Sequence, residues 1–221
     1  MQFKVIITGA TGMVGEGVVQ ECLDHRDVKQ VLMVNRRPSQ LRHPKLKECI
    51  VPDFFNLENV LQQLEGYDAC FYCAGISSRG MDESAYTVAT YDTTMSFAKT
   101  LQKANPDMIF CYVSGNLTDS TEKGRLMWAR VKGKTENALM ELPFKKVYNF
   151  RPGFMKPNNG QKNIKTYYKI IGSLYPILRL IAPNQVSTMH QVGLAIINSV
   201  LFGYEKAILE IEDIKLLAKS A

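Results

Sequence analysis

The sequence predicts an α/β fold built on a doubly wound parallel sheet flanked by helices. Three observations carry that expectation. The chain opens on a continuous apolar, β-branched run, Val5-Ile6-Ile7, of the kind a strand covered on both faces requires. Gly9, Gly12 and Gly15 follow at once, spaced G-x-x-G-x-x-G, and lead into an amphipathic run of Val14, Val18, Val19, Cys22 and Leu23. Further along, short apolar runs alternate with helical patterns, the β-α-β order that gives parallel strands and right-handed crossovers.

The glycine turn carries chemistry as well as shape. A chain leaving a strand for a helix turns sharply, and its N–H groups come close to a bound phosphate only where side chains are absent. The helix start adds free donors and a partial positive charge. The stretch from Phe3 to Gly17 therefore reads as a nucleotide-phosphate cradle, with Gly9, Thr11, Gly12, Met13, Val14 and Gly15 as its contacting residues.

The remaining elements follow in order. Val31 to Val34 reads as the second strand, ended by Asn35-Arg36-Arg37-Pro38. Cys49 to Val51 is a short third strand with Pro52-Asp53 at its exit. Asn56 to Leu64 reads as a helix with Asn56 as N-cap, stopped by Gly66. Ala69 to Cys73 is a fourth strand, and a helix runs from about Asp82 to Lys103, ending before Asn105-Pro106. Met108 to Val113 is the fifth strand, Arg125 to Leu142 a helix, and Val147 to Phe150 the sixth strand, closed by Arg151-Pro152-Gly153. From about 154 onward the chain is helix-rich: 167–181 is strongly apolar, Val186 to Leu201 reads as helical, and Lys206 to Ile211 alternates like a strand. With no repeat and no linker composition, one domain over 1–221 is expected, its C-terminal part capping the substrate side.

Composition narrows the partners. The 221 residues are 46% hydrophobic and 22% charged, as in ordinary globular chains. The net charge of +6 is mild and the bases are scattered, which suits an anionic small ligand and argues against a nucleic-acid surface. The five cysteines sit mostly in apolar runs, as free thiols in a reducing, cytoplasmic compartment. Cys70 and Cys73 form a C-x-x-C with no second ligand pair, so no metal is expected. A strand at the very start leaves no room for a signal peptide, and no apolar span reaches the ~18 residues of a transmembrane helix. Lys169 and Arg179 interrupt 167–181, which reads as a helix over the substrate cleft rather than a membrane-surface element.

In doubly wound sheets ligands bind outside the carboxyl ends of the strands. After the second strand, a carboxylate would suit NAD(H). Here Asn35, Arg36 and Arg37 stand instead, and two guanidinium groups suit the 2′-phosphate of NADP(H). Asp53 and Phe54 follow the third strand, where the adenine would lie. Cys73-Ala74-Gly75 after the fourth strand lets backbone approach the cofactor. Ser114 follows the fifth strand, placed for its hydroxyl to hold a substrate oxygen, and Pro152-Gly153-Phe154-Met155 backs the nicotinamide ring.

The ordered set Thr8 to Gly15, Arg36-Arg37, Asp53, Ala74-Gly75, Tyr112-Val113-Ser114, Lys132-Gly133 and Arg151-Pro152-Gly153 resembles the atypical, single-domain short-chain dehydrogenase/reductases. It is similar to the branch of the Tat-interacting-protein-like oxidoreductases and small epimerase-like proteins. The resemblance implies a Rossmann sheet, a nicotinamide cofactor and a small carbonyl or hydroxyl substrate, with Ser114 and Lys132 catalytic. In the family a tyrosine four residues before the lysine is the proton donor or acceptor. Here that position is Trp128, whose indole N–H does not ionise near neutral pH. Three readings stay open. The first is an oxidoreductase with another acid, such as Ser114 with a water or one of Tyr86, Tyr91, Tyr112, Tyr167 and Tyr168. The second is a non-catalytic NADP(H)-binding regulator or protein-interaction module. The third is a lysine-dependent isomerase or lyase. The substrate is not named by the sequence, and both a homodimer and a protein partner are compatible with it.

Overall fold

The computed structural model describes residues 2–164 and 174–220. Its centre is a seven-stranded parallel sheet. The strands are β1 (Phe3–Thr8), β2 (Val28–Asn35), β3 (Leu46–Ile50), β4 (Ala69–Tyr72), β5 (Ile109–Val113), β6 (Lys146–Phe150) and β9 (Ile208–Leu209). Their order across the sheet is β3-β2-β1-β4-β5-β6-β9, and every neighbouring pair is parallel. The order reverses between β1 and β4, where doubly wound sheets open a crevice. A second, two-stranded sheet pairs β7 (Phe154–Lys156) with β8 (Val186–Thr188).

Alternation along β1 shows why the sheet is buried on both sides. Val5 and Ile7 face one core with Val18, Val19 and Cys22 of α1 (Met13–Asp24). Ile6 faces the other with Leu101 and Phe97 of α4 (Thr93–Ala104) and Leu139 of α5 (Met127–Met140). The first core is closed by Val192, Ile196 and Ile197 of α7 (Met189–Leu201) and by Ile214 and Leu217 of α8 (Ile211–Leu217). A short α2 (Leu61–Leu64) and a seven-residue α6 (Tyr175–Ile181) complete the described helices. None of them is long and apolar enough to cross a membrane.

Most expected elements are present, and the departures have local causes. The helix expected from Asn56 is a 3-10 turn at Glu58–Val60 running into α2, so Asn56 caps nothing. Asp82 does cap its helix, its carboxylate accepting from the Ala85 N–H at 2.8 Å. That helix is continuous from Glu83 to Ala104 through α3 (Glu83–Thr87), a π-helical turn at Val88–Asp92, and α4. Val186–Thr188, expected to be helical, is strand. The helix begins only at Met189, fixed by a capping box in which Thr188 and Gln191 satisfy each other's backbone N–H groups. The stretch 206–211 supplies only two strand residues, Ile208 and Leu209. Of the apolar stretch 167–181, residues 167–173 lie outside the described residues, and Tyr175–Ile181 is helix.

Candidate functional site

A continuous groove crosses the carboxyl ends of the strands. Its first half, a cavity of about 540 Å³, runs from the glycine turn past Asn35 and Arg36 to Asp53, Phe54 and Phe55. Its second half, about 760 Å³, runs from Ser114 past Trp128 and Lys132 to Pro152 through Met155. Cys73, Ala74, Gly75 and Ile76 line both halves and join them.

The glycine turn is shaped by backbone contact. Gly9 has φ +71°, and a Cβ there would lie 2.6 Å from the Ala74 nitrogen. A Cβ on Gly15 would lie 2.2 Å from the Gly9 carbonyl oxygen. Thr8 Oγ1 accepts from the Ala74 N–H at 3.1 Å, tying the end of β1 to the end of β4. Gly12 is the extended N-cap of α1 and caps it with no side chain, so first-turn donors face the groove. Glu16 would oppose an anion there, but its carboxylate accepts from the N–H groups of Lys162 and Asn163 at 2.7 and 2.8 Å.

At the end of β2, Asn35 is 3% exposed. Its Nδ2 donates to Glu48 Oε1 at 3.0 Å, while its buried Oδ1 has no partner among the described residues. Glu48 thereby fixes which end of the amide is left as an acceptor. Arg36 is exposed on the groove wall; Arg37 is exposed but does not line it. Met13 and Gly15 also stay out of the lining. The Met13 side chain packs against the core and its carbonyl accepts from Gln161 Nε2 at 2.7 Å. Gly15 acts through the turn. Asp53 accepts from the Phe55 N–H at 2.9 Å, a local turn bond. Phe54, expected to meet the adenine, is 8% exposed and its ring stacks on Phe97 with centroids 4.9 Å apart. Its neighbour Phe55, 52% exposed, presents the free aromatic surface on that wall. These residues fit a dinucleotide: a bare phosphate cradle, an orphaned acceptor at the ribose position and a guanidinium beside it.

In the second half, Trp128, Lys132 and Glu136 recur every four residues on one face of α5. Trp128 and Lys132 reach the groove wall; Glu136 lies wholly buried behind it. Lys132 Nζ donates to the Ser114 backbone carbonyl. Burial lowers its pKa from 10.5 to about 8, against the opposing pull of Glu136. Ser114 departs from expectation. Its Oγ–H is directed at Glu136 Oε1, 2.5 Å away, with the Phe150 carbonyl at 3.1 Å, rather than offered to a substrate. The cause is the buried carboxylate, which needs donors on every side. Arg151 supplies the others, its Nε lying 3.1 Å from Glu136 Oε1 while Nη2 reaches Oε2. Arg151 Nη1 also donates to Glu210 Oε1 at 3.0 Å, and Nη2 to Ser120 Oγ. Burial works against the Arg151 charge, but the bonds to Glu136 and Glu210 outweigh it and raise its pKa.

Of the tyrosines considered as substitute acids, Tyr86, Tyr91 and Tyr112 do not line the groove. Tyr86 and Tyr112 are each 2% exposed, Tyr112 within the second core, and burial raises both phenols. Tyr91 packs beside that core under the Lys134 ammonium, 4.5 Å from its ring centroid. Tyr167 and Tyr168 lie outside the described residues. Leu178 comes from the apolar stretch expected over the cleft, whereas four lining residues carried no sequence signal: Ile76, Asn116, Ala182 and Gln185. They come from separate segments, and Asn116 Nδ2 donates to Gln185 Oε1 at 2.7 Å. Only the pairing of β7 with β8 brings Gln185 there.

The model of the NAD dependent epimerase/dehydratase family matches residues 5–115. Protein HTATIP2 of Rattus norvegicus is 27% identical over 158 residues, a match covering 70% of this chain and 64% of that protein's length. A short chain dehydrogenase family protein from Francisella tularensis subsp. tularensis SCHU S4 superposes with a TM-score of 0.65 at 15% identity, covering 92% of this chain and 93% of that one. The UDP-N-acetylglucosamine 4-epimerase of Methanobrevibacter ruminantium M1, solved with UDP-N-acetylmuramic acid, gives 0.65 at 15%, covering 94% and 75%. Bordetella bronchiseptica WbmF with NAD+ gives 0.64 at 14%, covering 97% and 77%. At such identities the likeness to these structures is one of fold.

Proposed function

Because the chain belongs to the NAD dependent epimerase/dehydratase family, we propose that it is an NADP(H)-dependent oxidoreductase acting on a small carbonyl or hydroxyl compound in a reducing, cytoplasmic setting. The observation that carries this is the single groove joining the glycine turn to Lys132. Gly12 and the start of α1 would hold the pyrophosphate, and the orphaned Asn35 Oδ1 would accept from a ribose hydroxyl. Arg36, with Arg37 beside it, would pair with the 2′-phosphate. Lys132 would hold the nicotinamide ribose, and Pro152 to Met155 would back the ring. When bound, the cofactor supplies or accepts the hydride.

The chain's own contribution is the proton. Trp128 has none to give, and Ser114 holds its own against Glu136. Among the described residues lining this half, that leaves Lys132 Nζ, whose pKa of about 8 keeps it protonated at neutral pH yet able to release a proton. In the reducing direction Lys132 Nζ would give its proton to the substrate oxygen and regain one from water.

A second reading, a non-catalytic NADP(H)-binding regulator, is favoured by the same two residues, Trp128 and Ser114. One experiment separates them. Trp128 is the sole tryptophan and lines the groove, so energy transfer from it to reduced nicotinamide reports binding. NADPH should bind more tightly than NADH, and Arg36→Ala with Arg37→Ala should abolish the difference. Consumption of NADPH with a carbonyl panel, falling above pH 8, supports the enzyme. Tight binding with no turnover across the panel supports the regulator, and equal loss of both cofactors in the arginine variant overturns the NADP(H) assignment.

A further inference from the structure

The substrate half of the groove carries almost no charge. Among the described residues lining it, Lys132 is the only ionisable cation and no carboxylate is present. Its polar groups are largely engaged: Ser114 with Glu136, Asn116 with Gln185, and Lys132 with the Ser114 carbonyl. The rest of the wall is apolar, from Val113 and Trp128 to Phe154, Met155, Leu178 and Val186. Binding a diphosphate-linked sugar would bury charges against that wall with Lys132 as the only cation among the described lining residues to meet them.

The apolar surface does not stop at the rim. Leu178 of α6 is part of the wall, while its neighbours on the same helix are open to solvent. Ile177 is 57%, Leu180 80% and Ile181 73% exposed. Such a run of bare side chains beside an apolar groove has a purpose when a ligand extends over it.

We propose that this half takes an uncharged carbonyl compound with a long hydrocarbon chain, its carbonyl at Lys132, its body against Trp128, and its chain leaving the groove past Leu178 onto Ile177 and Leu180. The inference rests on the cofactor-dependent carbonyl reading above. It turns that reading away from nucleotide sugars such as the UDP-N-acetylmuramic acid bound to the Methanobrevibacter ruminantium M1 epimerase of this fold.

The test uses Trp128 emission in the NADP+-loaded protein, where a ketone binds without being reduced. A series of 2-alkanones from acetone to 2-tridecanone is titrated, with UDP-glucose as the charged comparator. The ketones should shift Trp128 emission to the blue as water leaves the indole. Affinity should rise about fourfold per methylene until the chain is fully covered. Ile177→Ser with Leu180→Ser should flatten that rise for the longest ketones and leave acetone and NADPH affinities within twofold. A response to UDP-glucose, or no response to any ketone while NADPH binds normally, overturns the substrate class and leaves the cofactor reading standing. Failure of NADPH itself to bind strikes the cofactor reading instead.

Discussion

Lys132 is held at the groove against its own stability, and replacing it tests that directly. Burial lowers its pKa from 10.5 to about 8. At about 1.4 kcal/mol per unit, keeping the ammonium in place costs the folded state about 3 kcal/mol at neutral pH. The Lys132→Met variant retains most of the apolar stem and removes that penalty. It also removes the donor to the Ser114 carbonyl, a loss of about 1 kcal/mol. The net expectation is a gain of about 2 kcal/mol at pH 7, or roughly 4–8 °C in Tm for a chain of this size. The pH dependence has a definite sign. The folded protein binds this proton less tightly than the unfolded chain, so between pH 8 and 10.5 the unfolded chain carries more protons and wild-type stability rises with pH. Below pH 8 both states are charged and the whole penalty stands. The advantage of Lys132→Met should therefore be full at pH 7 and nearly gone by pH 10. Urea denaturation at both pH values measures it. A variant less stable than wild type at pH 7, or a gap unchanged at pH 10, would refute the reasoning.

Three further outcomes are expected. Arg151→Met leaves the fully buried Glu136 without its guanidinium and should lose about 3–5 kcal/mol in urea denaturation. Adding Glu136→Leu should recover much of that, and a double variant no better than the single one would count against the paired-charge account. Gly15→Ala drives a Cβ into the Gly9 carbonyl with no flexible group to yield, so it should lose about 1–3 kcal/mol and weaken NADPH binding at least tenfold; titration by energy transfer from Trp128 reads the second effect. Trp128→Tyr restores a phenol four residues before Lys132, and carbonyl-dependent NADPH oxidation should rise on the order of 10²-fold; unchanged turnover would show that the proton donor is not what limits the chemistry.

The sheet was legible because its central strands are buried on both faces, which forces continuous apolar runs such as Val5 to Ile7. The phosphate cradle was legible because close backbone approach leaves only glycine at Gly9 and Gly15. Where long-range pairing decides, the sequence was silent. Val186–Thr188 is short and runs straight into the helix that follows, and only pairing with β7 makes it strand. Phe54 and Phe55 are adjacent aromatics, and which of them turns inward depends on Phe97 across the core. Ser114 looked free because Glu136, Arg151 and Glu210, the groups that fix its surroundings, lie on three other segments far along the chain.

The two halves of the groove are drawn from the chain very unevenly. The cofactor half uses residues from Gly9 to Thr93 alone, whereas the substrate half gathers segments as distant as Val14 and Val186. Inheritance can therefore act on them separately. Exchange of the later segments between relatives would replace what the protein recognises while handing on the nucleotide cradle intact.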